Sequence, residues 1–281
     1  MPDDTAYLLS PRLSDAATLA ASDAVGGAGG ANVQIARPGL VWQSTSSTPY
    51  LTIDFGEAVT IDTIGLGWIN AGESDTFRLR AAASAAAVTS APVVDATETV
   101  WPALESPHSG VADLSLYGLV HRPYRLAAAQ TLRYWRIDFT FTSYVQMGRL
   151  LMGERVQPAL PVAFNWAPTG TEPIVETADM GGEEVARPRG VKRGVRMEWG
   201  RLTSREALGG MYALLLERGS SGDMMAVVDP GQTEADCPQY ANPMAHCYIG
   251  RKKESFELVN TFYNNHTLVV AVQELSPVVM A

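Results

Sequence analysis

Residues 133–154 read RYWRIDFTFTSYVQMGRLLMGE, and this stretch decides the fold class. Trp135, Ile137, Phe139 and Phe141 fall on one side of an extended chain, with Tyr134, Arg136, Asp138 and Thr140 on the other. A period of two marks a strand with one face on a core and one toward water. The alternation breaks after Phe141, resumes as the shorter apolar run QMGRLLMG, and is followed by Pro158 and Pro161. The strand pair therefore reads as the end of one structural unit, with the prolines marking a change of domain.

Upstream, strand signals crowd together. YLTIDFG (50–56) puts Leu51, Ile53 and Phe55 on one face, and VTIDTIGLGWI (59–69) follows after Gly56-Glu57-Ala58. DTFRLRAAA (75–83) and YRLAAAQTLRYWRIDFTF (124–141) continue the series. Short strands punctuated by Gly and Pro, with almost no helical periodicity, predict an antiparallel sandwich or jelly roll. The Gly- and Ala-rich stretch 22–39 reads as a loop or arm, and RAAASAAAVTSAP (80–92) as strand then loop.

Downstream, RVQPALPVAFNWAPTGTEP (155–173) carries four prolines and suits an extended link. A second strand set follows, with Val191, Val195, Met197 and Trp199 on one face and Lys192, Arg196 and Glu198 on the other. TSREALGGMYALLLERG (203–219) predicts one amphipathic helix over 203–218. Thr203 and Glu206 have capping-box spacing, Leu208, Met211, Tyr212 and Leu215 form a buried face, and Gly219 is the stop. DMMAVVDPG reads as a buried strand, and Asn264-Asn265 as the turn of a closing hairpin. The predicted architecture is mainly β: a jelly roll over 1–155, a Pro-rich link over 156–170, and a β-rich domain over 171–281.

Bulk properties narrow the function. A chain of 281 residues, 46% hydrophobic and 18% charged, is long enough for two packed cores. A net charge of −9 argues against nucleic acid as a partner, and the single basic cluster ARPRGVKRGVR (186–196) lies on a strand pattern. No run approaches the ~18 apolar residues of a membrane span. The start, MPDDTAYLLSPRLSD, lacks a basic region followed by an apolar segment, so it reads as having no signal peptide and as synthesised in the cytoplasm.

Catalytic chemistry finds no constellation. Glu57 with Asp62, and Glu183 with Glu184, are paired only in sequence, and ERGSSGD lacks the strand-turn-helix setting of a nucleophile elbow. Cys237, His246 and Cys247 lack the paired spacing of a structural zinc site and read as buried thiols, so neither metal nor cofactor is expected. The loop NAGESD (70–75) offers the oxygens of Asn70, Glu73 and Asp75 to a ligand, or is a solvated turn. Trp101 and His108 lie in ETVWPALESPHSG, where an exposed Trp gives a sugar a stacking platform; alternatively Trp101 plugs the end of the sandwich.

Two family resemblances add to this. VWQSTSSTPYLTIDFGEAVTIDTIGL (41–66) and RYWRIDF…GRLLMGE resemble the opening and closing strands of discoidin-type, galactose-binding-like jelly rolls, over about residues 5–155. IARPGLVW stands where calcium- or sugar-binding members carry an Asp-Gly-Asp type loop, and the cysteine pair of many extracellular members is absent. The second half, with DMGGEEVARPRGVKRGVRMEWGRLTSREALGGMYALLLERG, MMAVVDPG and VAVQEL, resembles tail-tip and baseplate proteins of long-tailed bacteriophages and gene transfer agents. That resemblance implies a non-enzymatic virion protein, assembled in the host cytoplasm into a trimeric or hexameric ring. Its partners would be tail-tube, hub or baseplate proteins, with host surface glycan for the jelly roll. Arg187, Arg189, Lys192, Arg193 and Arg196 are the candidate assembly residues. The alternative reading is a bacterial carbohydrate-binding module protein.

Overall fold

The computed structural model describes residues 5–72, 74–100, 120–160, 166–171, 174–178, 184–188, 192–228, 246–253 and 256–275. In the first half these form β1 (Tyr7–Leu9), α1 (Arg12–Ala16), β2 (Thr18–Ala21), a 3-10 turn (Gly30–Gln34), β3 (Trp42–Gln43), β4 (Tyr50–Ile69), β5 (Thr76–Ala82), α2 (Ala87–Ser90), β6 (Val94–Thr99), β7 (Val120–Thr140) and β8 (Gln146–Gly153). The second half adds β9 (Ala167–Thr171), β10 (Ile174–Ala178), β11 (Glu184–Pro188) and β12 (Lys192–Leu202). Next comes α3, π-helical over Arg205–Tyr212 and α-helical over Ala213–Arg218, then β13 (Asp223–Val227), β14 (Cys247–Lys252), β15 (Glu257–Phe262) and β16 (Asn265–Glu274).

The jelly roll is built on two very long strands, β4 of 20 residues and β7 of 21. Neither stays flat. Their pairing slips between Asp54 and Val59, where Gly56 takes a φ of +79°, a conformation glycine reaches without strain. Residues 50–54 pair with 134–138 and carry β2 alongside; the later part of β4 pairs with the earlier part of β7 and with β8, and β3 edges β8. β5 and β6 extend the sheet from the C-terminal half of β7. The sheet order β3-β8-β4-β7-β5-β6 thus folds over at the bends into two layers. Trp42 from one layer meets Phe139 from the other at 5.7 Å between ring centroids. The alternation read from 133–141 is the observed one: Trp135, Ile137, Phe139 and Phe141 are buried, and Arg136 and Asp138 form part of an ion-pair row on the outer face.

The second domain is a seven-stranded antiparallel sheet, ordered β1-β13-β14-β16-β12-β9 with β15 also on β16. Its first strand comes from the chain's start: Tyr7, Leu8 and Leu9 pair with Val227, Ala226 and Met225. Val156 and Leu8 also exchange both backbone hydrogen bonds, at 2.8 and 3.0 Å, so the chain leaving the sandwich runs back beside β1. β9 lies partly within the stretch read as a link, and pairs with β12 from Thr171↔Lys192 to Ala167↔Arg196.

α3 packs on one face of this sheet over Val195, Met197, Trp199, Leu268 and Val270. Its start is the expected capping box: Thr203 N–H donates to Glu206 Oε2 at 2.8 Å and Glu206 N–H donates to Thr203 Oγ1 at 3.3 Å. The buried face differs from the expectation. Ala207, Met211, Leu214 and Leu215 are buried while Leu208 is 50% exposed. The wider π turn shifts the phase of the side chains, and a 3.6-residue period does not apply across it. The other local difference is at 87–90, read as loop, where the Ala-rich run makes a single helical turn, with Ala87 N–H donating to Ser84 Oγ at 3.4 Å.

The two domains meet sheet to sheet. Gly65 and Gly67 of β4, with Arg149 and Leu151 of β8, face β13 and β14. A Cβ at Gly65 would stand 2.3 Å from Met225 Cε, and one at Gly67 2.4 Å from Ile249 Cδ1. Tyr7, Leu9, Trp68, Leu151, Met225, Val227, Cys247 and Ile249 form the resulting buried seam.

Candidate functional site

Two charged networks sit in that seam. Arg149 of β8 is 1% exposed and uses all five N–H donors. Nε and Nη2 donate to the Asp223 carboxylate at 2.6 and 3.0 Å; Nη1 and Nη2 donate to Asp15 at 2.6 and 2.9 Å; Nη1 also donates to Val33 O at 3.1 Å. Asp15 belongs to α1 and Asp223 to β13, so one guanidinium joins both domains in the bidentate geometry that carboxylates favour.

The second network centres on Glu274 at the end of β16. Trp68 N–H donates to His121 Nδ1 at 3.2 Å, which fixes the imidazole proton on Nε2, and Nε2 lies 3.0 Å from Glu274 Oε1. Arg193 donates from Nε to Glu274 Oε2 at 2.8 Å and from Nη2 to Oε1 at 2.5 Å. Burial pushes the His121 imidazole below its ordinary value, against the pull of Glu274. Burial alone would raise Glu274; the hydrogen bond from His121 and the charge and hydrogen bonds of Arg193 overturn this and hold it low. Burial also pushes the Cys247 thiol up, so it stays protonated and inert. Arg149, Asp223, His121 and Glu274 are paired and buried, while their partners Asp15 and Arg193 reach toward solvent. Their chemistry is cohesion of the two domains.

The candidate ligand residues are used differently. Asn70 donates from its amide to Tyr144 O at 3.0 Å and accepts Gln146 N–H at 2.6 Å. Asp75 is buried and accepts Gly72 N–H at 2.7 Å and Thr142 N–H at 2.9 Å. Both carboxamide and carboxylate satisfy loop backbone, which is why the sequence shows them at a turn. Glu73, Trp101 and His108 lie outside the described residues, as do Arg189 and Cys237.

Of the candidate assembly cations, Arg193 turns inward to Glu274, Lys192 is half-buried, and Arg196 is exposed on β12. Arg187 lies on the β10–β11 hairpin opposite Val175. The structure therefore separates residues that are close in sequence. Among the described residues no group of three His, Cys, Asp or Glu is placed to hold a metal ion. Likewise no helix there is long and apolar enough to cross a membrane.

Three surface features remain open. A cleft of about 260 Å³ lies on the outer face of the sandwich, lined by Thr18, Thr52, Asp54, Val88, Tyr134 and Arg136 among others. Its charged groups are already engaged: Arg136 stacks 3.5 Å over the Tyr50 ring, and Asp54 is held low by the hydrogen bonds of Arg133 and then by Gly56 N–H. A groove of about 360 Å³ lies between α1 and α3. The β15–β16 turn projects Phe262 and Tyr263 into solvent.

Sequence reasoning missed Arg149, Asp223, His121 and Glu274. The signal was present: an Arg inside MGRLLMG and an Asp opening DMMAVV are charges in apolar strands, which fold only if paired.

No protein-family model matches the chain, and no curated protein matches its sequence. Solved structures are similar over about half of it. The chitosan-binding module 1 of a chitosanase/glucanase from Paenibacillus sp. IK-5 is 15% identical, covering 50% of this chain and 96% of the module, with a TM-score of 0.36. The family 32 carbohydrate-binding module of C. perfringens NanJ, in complex with galactose, is 11% identical over 52% of this chain and 98% of its own, with a TM-score of 0.37. The family 32 module of AlyQ, in complex with 4,5-unsaturated mannuronic acid, is 22% identical over 48% and 92%, with a TM-score of 0.34. At such identities and scores the likeness carries no ligand across.

Proposed function

We propose that the protein is a non-enzymatic structural component of a phage tail tip or baseplate. In this reading the second domain makes subunit contacts within a trimeric or hexameric ring, and the jelly roll faces outward. The observation that supports it is the seam. Arg149, Glu274 and the glycines of β4 weld the sandwich to the second sheet, as a rigid building block requires. A ligand-binding module tethered to an enzyme works as a separate body and has no use for such a weld. The resemblance of the second half to tail proteins points the same way, and so does the exposed hairpin tip. Assembly would take place in the host cytoplasm, next to tail-tube and hub proteins. Size-exclusion chromatography with light scattering tests this: a defined oligomer is expected, and a monomer at every concentration would reject the reading.

Glycan binding by the jelly roll is a second reading, favoured by the 260 Å³ cleft with Tyr134 at its wall. Immobilised-glycan binding that Tyr134→Ala abolishes would support it. Binding unchanged in that variant would move the site elsewhere on the sandwich.

A further inference from the structure

The second domain displays an apolar knob, and between α1 and α3 lies a groove with apolar walls and a charged rim that the knob does not fill. Phe262 and Tyr263 are 75% and 91% exposed, and Val259 beside them is 42% exposed. The tip is held in place: Asn264 has a φ of +54°, and its side-chain oxygen accepts Ser204 N–H at 2.8 Å. That bond ties the knob to the start of α3. The groove runs along the later turns of α3, with Leu13, Val156, Gly209 and Leu214 on its walls and Arg12, Glu154 and Glu217 at its rim. Gly210 lets Val156 approach, since a Cβ there would lie 3.2 Å from Val156 Cγ1, whereas a Cβ at Gly209 would meet nothing within 4 Å. Gly209 thus leaves the groove open. Leu208 and Leu216 of the same helix are exposed as well.

Charge matches at one point. Exposed Arg201 and Arg205 adjoin Leu202 and Ser204, which pair with His266 and bond to Asn264 at the base of the knob, and they have no ion partner among the described residues. At the groove Arg12 pairs with Glu217 at 3.5 Å, which leaves exposed Glu154 as the carboxylate without an ion partner there among the described residues. From these features, and resting on the assembly reading above, we infer that Phe262 and Tyr263 of one copy seat in the Gly209–Gly210 groove of a second copy. The phenol O–H then meets the rim carboxylates, and the knob's arginines face Glu154. Because knob and groove are different patches, the contact is head-to-tail, which closes into a ring or runs on as a filament. Two aromatics bury about 300–500 Å². With roughly as much from the groove, the contact stays near the lower limit of specific interfaces, about 1,000 Å² in total. Each contact is therefore weak alone and assembly is steeply concentration-dependent.

Sedimentation velocity of the full chain over a concentration series tests this, with far-UV circular dichroism confirming each variant's fold. The wild type assembles; Phe262→Ser/Tyr263→Ser and Gly209→Trp each raise the concentration for half-assembly by about thirtyfold or more, the loss typical of a hot spot. Mixed at equal amounts, the two variants form a heterodimer and stop, because only one knob and one groove are intact. Assembly of the knob variant at wild-type concentration, or a mixture that stays monomeric, overturns the inference and leaves the assembly reading standing. A wild type that never assembles overturns both. Hydrogen exchange on the unmodified protein reads the same contact: protection at 209–217 and at 258–263 rises together with concentration, and protection at neither contradicts it.

Discussion

Replacing Asp223 by Ala breaks the seam at its most buried ion pair. Arg149 and Asp223 side chains are both 1% exposed. The substitution strands the Nε donor and one Nη2 donor of Arg149 and leaves Asp15, 30% exposed, as the remaining counter-ion. Arg218 loses its 3.4 Å contact as well. Removing one partner of a buried pair costs about 3–5 kcal/mol, against a total stability of about 5–15 kcal/mol for a folded protein. Urea unfolding followed by tryptophan fluorescence should show a loss of that size. The transition should also split in two, because the sandwich and the second sheet no longer unfold together. Arg149→Met combined with Asp223→Leu should recover most of the loss, since well-packed apolar groups replace a buried pair at little cost. A loss below about 1 kcal/mol, as for a surface pair, would refute the view that the seam depends on this network.

Acid should loosen the same seam. Unfolded His121 takes up a proton as pH falls through its ordinary 6.5 while the buried form resists, so the unfolded state binds more protons and stability falls. Glu274 adds to the loss further down: its folded value lies below the ordinary 4.5, so its contribution is present above that pH and is lost as pH falls through the folded value. Chemical denaturation across pH should show a monotonic decline, and His121→Gln should flatten the limb between neutrality and about pH 5. Gly250→Ala should cost more than Gly65→Ala in thermal melts. The first places Cβ 2.1 Å from Gln273 O in the β14–β16 ladder and the second meets a flexible methionine end, so we expect about 3 kcal/mol or more against about 1. Thr203→Ala should remove about 1 kcal/mol through the capping box, read by the same melts.

The sandwich was legible because its strands obey a simple period. Trp135, Ile137 and Phe139 alternate with ionic partners, and one buried face is all that pattern needs to encode. The capping box and the Asn264 turn were legible for a related reason: their hydrogen bonds are local. What stayed hidden is non-local. Tyr7–Leu9 reads as an ordinary start, yet pairs with residues 225–227, and no local rule assigns a strand to a distant sheet. Gly65 and Gly67 look like flexibility inside a strand, but they make room for Met225 and Ile249. Asn70 and Asp75 have the chemistry of ligands and spend it on backbone N–H groups, which composition cannot foretell. Arg193 and Arg196 sit three apart on one basic run, yet Arg193 pairs with buried Glu274 while Arg196 is exposed.

Electron microscopy of the purified full-length protein at high concentration tests the central claim most directly. The account predicts closed rings of three or six copies, with the sandwiches on the periphery and the second domains in contact. Single, separate particles at every concentration would contradict it.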